Sequence, residues 1–182
     1  MTIVGDGAVG KTTLVQALLR KTTNHVKSSN GHKVIDDKKI TRTSFMEIES
    51  WNYKDLMFQC YDLAGQRTPG GHPLDILQNQ VINSIDIYIF VFSLERYESF
   101  ENLNNWVQLM GLDKKTKNGN SGFILVGNKI DLERNVTSEL IQTVVGKDRY
   151  FPTYIETCSL DGRGIEKLLD EIVDLGKQIL SD

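Results

Sequence analysis

Gly5-Asp6-Gly7-Ala8-Val9-Gly10-Lys11-Thr12 is the stretch that decides the fold. It fits G-x-x-x-x-G-K-[ST], and its surroundings matter as much as the match. Thr2–Val4 before it reads as the end of a buried strand. Lys11–Lys21 after it reads as a helix with Leu14, Leu18 and Leu19 on one face. Glycines in such a turn let the backbone wrap closely around phosphate with its N–H groups turned inward. The helix N-terminus adds positive potential. Lys11 offers a fixed cation to β- and γ-phosphates, and the Thr12 hydroxyl offers a ligand to Mg²⁺. A glycine-rich turn with a surface lysine is the plainer reading, and the flanking strand and helix count against it.

Two further segments fit the same pocket. Asp62-Leu63-Ala64-Gly65-Gln66 closes a strand-like run with a carboxylate that can hold Mg²⁺ through a water, opposite Thr12. Gly65 offers an N–H to a γ-phosphate oxygen, and the Gln66 amide can orient an attacking water. Asn128-Lys129-Ile130-Asp131 follows the apolar run Gly122–Gly127. The Asp131 carboxylate can accept N1–H and N2–H₂ of guanine together, a match adenine lacks. Lys129 can lay its aliphatic stem along a base, and Asn128 can tie the base loop to the phosphate loop. Asn, Lys and Asp also favour plain turns; the order and placement of the motifs argue against that here. Thr157-Cys158-Ser159 ends the next strand, where the Ser159 N–H can contact the guanine oxygen and Leu160 follows.

Between these motifs, strand and helix patterns alternate. Thr22–Lys39 is polar and reads as a long loop. Thr43–Trp51 and Leu56–Asp62 read as a hairpin turning at Asn52–Asp55. Ile85–Phe92 is a strand apolar on both faces. Tyr97–Met110 has helical spacing, Ser138–Val145 is helical, and Pro152–Cys158 is a short strand. Arg163–Leu180 is a terminal helix with Ile165, Leu168, Leu169, Ile172, Val173 and Leu175 facing inward. Such alternation points to an α/β fold with a mostly parallel sheet, one antiparallel edge strand from the hairpin, and helices on both faces. Ligands bind beyond the carboxyl ends of strands in such folds, and every motif above falls at one of those ends.

Composition narrows the rest. A chain of 182 residues fits one domain. A net charge of -3 gives no reason to expect nucleic acid. Cys60 and Cys158 form no C-x-x-C and read as reduced thiols of a cytoplasmic protein. No apolar run reaches membrane-spanning length and no signal peptide is evident. Position 2 is not glycine, and Leu180-Ser181-Asp182 holds no prenylation cysteine, so no intrinsic lipid anchor is expected. His25, His32 and His72 are too scattered for a metal site. Trp51 and Trp106 read as core or groove packing, and Lys38, Lys39, Lys114, Lys115 and Lys117 as solvated loops.

With these motifs in order, the chain resembles the Ras superfamily of small GTPases over nearly its whole length. The octapeptide GDGAVGKT is similar to Rho and Rab members. KDLMFQCYDLAGQR at Lys54–Arg67 is similar to Arf proteins, Roc domains and Gα subunits, as is Thr157-Cys158-Ser159 to their TCA motif. The resemblance implies a three-layer α/β/α P-loop NTPase fold with a six-stranded sheet, and one G domain over residues 1–182. It implies a switch that hydrolyses GTP to GDP with Mg²⁺ and moves switch I (about 22–43) and switch II (about 63–73) to control partners. The implied nucleotide-binding set is Gly5, Asp6, Gly7, Ala8, Val9, Gly10, Lys11, Thr12, Thr13, Gly65, Asn128, Lys129, Asp131, Cys158, Ser159 and Leu160. Thr12, Thr41 and Asp62 are the implied metal ligands, and Gln66, Lys11 and Thr41 the catalytic set.

The sequence departs from the family at switch I. The usual T-x-G is absent, Thr41 takes the metal position with Thr43 as the alternative, and the interval from Gly5 is longer than in Ras. Arg67-Thr68-Pro69-Gly70-Gly71-His72-Pro73 reads as a flexible connector, or else a partner-specific surface. The position matching a Gα arginine finger lies near Lys38, so turnover is expected to be slow without an activating partner. Exchange factors, activators and effectors are the implied partners of a monomer without nucleic acid or membrane contact of its own. A mixed signature without lipidation suits a prokaryotic relative or an excised domain. Two competing readings stay open: a nucleotide-holding scaffold with little hydrolysis, and an adenine-nucleotide kinase or ATPase with the same phosphate loop.

Overall fold

The computed structural model describes residues 1–26, 46–65, 84–111, 121–146 and 149–181. Its elements are β1 (Thr2–Val4), α1 (Lys11–Val26), β2 (Met46–Tyr53), β3 (Leu56–Leu63), β4 (Ile87–Ser93), α2 (Tyr97–Glu101), α3 (Leu103–Leu109), β5 (Gly122–Asn128), α4 (Ser138–Gln142), β6 (Thr153–Thr157) and α5 (Ile165–Ser181). They build a six-stranded sheet in the order β2-β3-β1-β4-β5-β6. Only the β2–β3 pair is antiparallel; the other neighbours are parallel. This is the expected α/β fold with one antiparallel edge strand.

The periodicity of β4 shows why helices cover both faces. Ile87, Ile89 and Val91 enter one core with Leu14 and Leu18 of α1 and Ile165, Leu168, Leu169, Ile172 and Val173 of α5. Tyr88, Phe90 and Phe92 enter a second core with Phe100 of α2, Leu103, Trp106 and Val107 of α3, and Ile141 of α4. Successive side chains on a strand point to opposite faces, so a continuously apolar strand needs a helical layer on each. Leu175 packs at the margin of the first core, partly buried.

Several expected boundaries move. Helix α1 runs to Val26, so the polar stretch read as loop from Thr22 begins as helix. Thr22 is buried and its hydroxyl donates to the Leu19 carbonyl at 2.9 Å, a local bond that lets a polar residue continue a helix. The helix read across Tyr97–Met110 is two helices meeting at Asn102. Helix α4 ends at Gln142, short of Val145, which instead bridges to Phe151. The hairpin turn narrows to Lys54 and Asp55, at φ +47 and +65, the mirror-image geometry that matches strand twist in a two-residue loop. The strand expected from Ile85 starts at Ile87, and the helix expected from Arg163 starts at Ile165. Trp51 lies within β2, buried against Phe58 with ring centroids 5.9 Å apart, and so packs the core as expected. Among the described residues no helix is long and apolar enough to cross a membrane.

Candidate functional site

The loop Gly5–Gly10 leaves the carboxyl end of β1 and feeds directly into α1. Its curvature turns carbonyls and amides in specific directions. The Lys11 ammonium folds back across the loop and donates to the carbonyls of Gly5 and Asp6, both at 2.9 Å. Lys11 is 7% exposed. Burial pushes its pKa down to about 8, against the pull of the Asp62 and Asp6 carboxylates. A buried ammonium held on neutral carbonyls is suited to meeting an anion, which would stabilise its charge.

Thr12 opens the helix and meets the end of β3. Its hydroxyl donates to Asp62 Oδ2 at 2.6 Å, and Asp62 is buried. The hydroxyl and carboxylate that the sequence assigns to one hard cation are therefore adjacent, and oxygen donors of this kind suit Mg²⁺. One residue past Ala64, the chain crosses the phosphate loop. A side-chain carbon on Gly65 would collide with the backbone of Asp6 and Gly7, so only glycine permits that approach.

Asn128, at the end of β5, joins the remaining pieces. Its Nδ2 donates to the Val9 carbonyl at 2.9 Å. Its Oδ1 accepts from Thr157 Oγ1 at 3.0 Å, Ser159 Oγ at 2.9 Å and the Ser159 N–H at 3.2 Å. A side-chain carbon at Gly10, whose φ is +95, would lie 2.5 Å from Asn128 Nδ2. Lys129 turns the chain through a left-handed φ of +66, and its ammonium sits 3.6 Å from Glu95. Asp131 is exposed. The neighbouring Cys158 thiol is pushed up in pKa by burial first and by hydrogen bonding with the Asp131 carboxylate second. Leu160 stands at the rim, 73% exposed.

The structure thus brings Gly5–Thr12, Asp62, Gly65, Asn128 and Thr157–Ser159 into one connected network. Thr13 sits in the first turn of α1, half-buried. Thr41, its alternative Thr43, and Gln66 lie outside the described residues, as do Lys38, Arg67 and most of both switch segments. Among the described residues no cluster of His, Cys, Asp and Glu is arranged to hold a metal, so a cation here would depend on Thr12 and Asp62 with ligands from elsewhere. Cys60 and Cys158 are free thiols.

Sequence reasoning missed a layer behind the loop. Trp106 packs in the core as expected, but its indole N–H also donates to Asp6 Oδ1 at 2.8 Å. Asn102 Nδ2 donates to Asp6 Oδ2 at 2.8 Å, and Arg96 Nη2 donates to the Gly7 carbonyl at 2.8 Å. The i, i+4 spacing of Asn102 and Trp106 on one helical face was the available signal.

Comparison with known proteins agrees with this geometry. The family model described as "Ras family" matches residues 1–178. The human Ras-related protein Rab-9B is 29% identical over 181 residues, covering 98% of this chain and 81% of the relative. The Ras-related protein Rab7 of Cenchrus ciliaris is 27% identical over 179 residues, covering 94% of this chain and 78% of the relative. Human Rab-9A is 28% identical over 180 residues, with 94% and 79% covered. With a match over nearly its whole length and a glycine-rich loop seated between β1 and α1, the chain belongs to the Ras family of small GTPases.

Proposed function

We propose that this chain binds guanine nucleotides with Mg²⁺ and hydrolyses GTP to GDP and phosphate as a conformational switch. One observation carries the reading: Asn128 is hydrogen-bonded to the phosphate loop on one side and to the Thr157–Ser159 segment on the other. That bond set couples the triphosphate end of a nucleotide site to its base end. The residues suit both groups. Glycine at position 10 lets the loop pack against the Asn128 amide, glycine at position 65 lets the chain after β3 cross the backbone of Asp6 and Gly7, and Thr12 with Asp62 supplies hard oxygen donors.

In this reading Gly5, Asp6, Gly7, Ala8, Val9, Gly10 and Thr13 line the phosphates. Lys11 carries the cation that meets β- and γ-phosphate oxygens. Thr12, Thr41 and, through water, Asp62 would hold Mg²⁺, which would neutralise charge on the phosphates. Gln66 orients the water that attacks the γ-phosphorus in line as the bond to the bridging oxygen breaks. Asp131 selects guanine, Lys129 covers the base, and Cys158, Ser159 and Leu160 form its edge. The Gly65 N–H and Thr41 respond to the γ-phosphate, so its loss changes the segments at about 22–43 and 63–73 that regulators and effectors read. Turnover by the monomeric domain over residues 1–182 is slow without an activating partner.

GTP turnover by the parent and by Gln66→Leu tests the catalytic part. A parent rate at least tenfold above that of the variant is expected. Equal rates, both near zero, would leave a nucleotide-binding scaffold in place of an enzyme.

A further inference from the structure

The phosphate loop is gripped from behind as well as from within. Asp6 contributes a carboxylate to a loop proposed to bind a polyanion, an unfavourable placement if that charge faced the ligand. It does not stand alone. Trp106 Nε1 donates to Oδ1 and Asn102 Nδ2 to Oδ2, each at 2.8 Å, and the Arg96 guanidinium lies 3.9 Å from Oδ2. The Asp6 side chain is only 19% exposed. Asn102 links α2 to α3 and Trp106 lies one turn on, so one helical face delivers both donors.

Arg96 acts on the backbone as well. Its Nη2 donates to the Gly7 carbonyl at 2.8 Å. In a trans peptide the carbonyl and the following N–H point in opposite directions. Holding the Gly7 carbonyl toward Arg96 therefore turns the Ala8 N–H the other way. Ala8 sits at φ +62, a left-handed conformation that costs a residue with a side chain and needs support from its surroundings. The base of Arg96 is itself fixed: Ser99 Oγ accepts from the Ser93 N–H at 2.9 Å and donates to the Arg96 carbonyl at 2.7 Å.

We propose that Arg96, Asn102 and Trp106 are positioning residues for the phosphate loop, holding Asp6 and Gly7 from behind so that the Ala8 N–H is presented to phosphate. The proposal rests on the reading of the loop as a nucleotide site. The loop is then preorganised by α2 and α3 before any ligand arrives, which lowers the ordering cost of binding.

The test uses the full chain with Arg96→Met, Arg96→Lys and Trp106→Phe. Arg96 is part-exposed and Met keeps its aliphatic stem; Phe keeps an aromatic ring at position 106 but removes the N–H together with part of the buried indole. GDP affinity, GTP turnover and melting temperature are measured for each. Arg96→Met and Trp106→Phe are expected to weaken GDP binding by about tenfold, with the loss in turnover falling on KM rather than kcat. Arg96→Lys, which still supplies a cationic donor, is expected to recover most of that loss. The melting temperatures of the Arg96 variants are expected to stay close to the parent's, while that of Trp106→Phe falls with the lost bond and the space the smaller ring leaves. A parent that binds GDP while Arg96→Met and Trp106→Phe bind it equally well overturns the positioning role alone. So does a fall in kcat at unchanged KM, which would put the guanidinium on the reacting phosphate. A parent that binds neither GDP nor GTP removes the proposed function itself.

Discussion

Asn128 and Val9, 119 residues apart in the chain, are joined by a buried 2.9 Å hydrogen bond from a side-chain amide to a backbone carbonyl. The bond locks the loop after β1 to the loop after β5. The two walls of the proposed nucleotide site thereby keep a fixed separation, as a ligand with two chemically distinct ends requires.

Removing that link has a defined cost. Asn128→Ala deletes the bond to Val9 and the acceptor for Thr157 and Ser159, leaving buried polar groups without partners at about 1–3 kcal/mol. Release of a fluorescent GDP analogue, followed by displacement, is expected to accelerate by at least about tenfold. A release rate equal to the parent's would show that the bond does not couple the two ends.

Gly10→Ala places a carbon against Asn128 Nδ2 on a backbone at φ +95. Both the clash and the left-handed conformation oppose it, at a cost of about 1–3 kcal/mol. Nucleotide affinity is expected to fall by about tenfold or more, while far-ultraviolet circular dichroism stays native, because Gly10 lies outside both cores. Parent-like affinity would mean that the loop tolerates distortion.

How much of this was legible in the sequence depends on range. The strand–loop–helix at Val4–Lys11 is local, so glycine placement and apolar periodicity announce it. The Asn128 bridge was legible because that residue type at a strand end has a specific use for both halves of its amide. The continuation of α1 past Thr22 was not, because Thr, Asn and His favour loops unless a local bond such as Thr22 to Leu19 compensates. The contact of Arg96, Asn102 and Trp106 with Asp6 and Gly7 was also hidden. It spans 89 to 100 residues and depends on how the helical layer packs on the sheet.

Thr12 and Asp62 should set the Mg²⁺ dependence. Chelation is expected to speed GDP release from the parent by about tenfold or more, and Thr12→Ala is expected to release GDP equally fast with or without Mg²⁺. The variant also removes a hydroxyl donor from the buried Asp62 carboxylate, so the ligand-free protein is expected to lose about 1.5–3 kcal/mol in urea unfolding. A variant that keeps the parent's Mg²⁺ response would exclude Thr12 as a ligand.

Cys60 gives the fold an alkaline limit. Burial pushes its thiol from 9.0 up to about 12. Above pH 9 the unfolded chain gives up this proton while the folded chain keeps it, so the native state binds more protons and stability falls as pH rises toward 12. The slope from this group approaches about 1.4 kcal/mol per pH unit. Urea midpoints compared at about pH 9 and about pH 11 are expected to drop less in Cys60→Ala than in the parent. At neutral pH both buried thiols should resist a thiol reagent until the protein is unfolded.

Guanine selection by Asp131 is the most exposed part of the account, and calorimetric titration of nucleotide-stripped protein with GDP, ADP and XDP addresses it directly. The parent is expected to bind GDP far more tightly than ADP, and Asp131→Asn to move that preference toward XDP, because the exchanged amide donates where the carboxylate accepted. Equal binding of GDP and ADP by the parent, with Asp131→Asn changing nothing, would contradict the assignment.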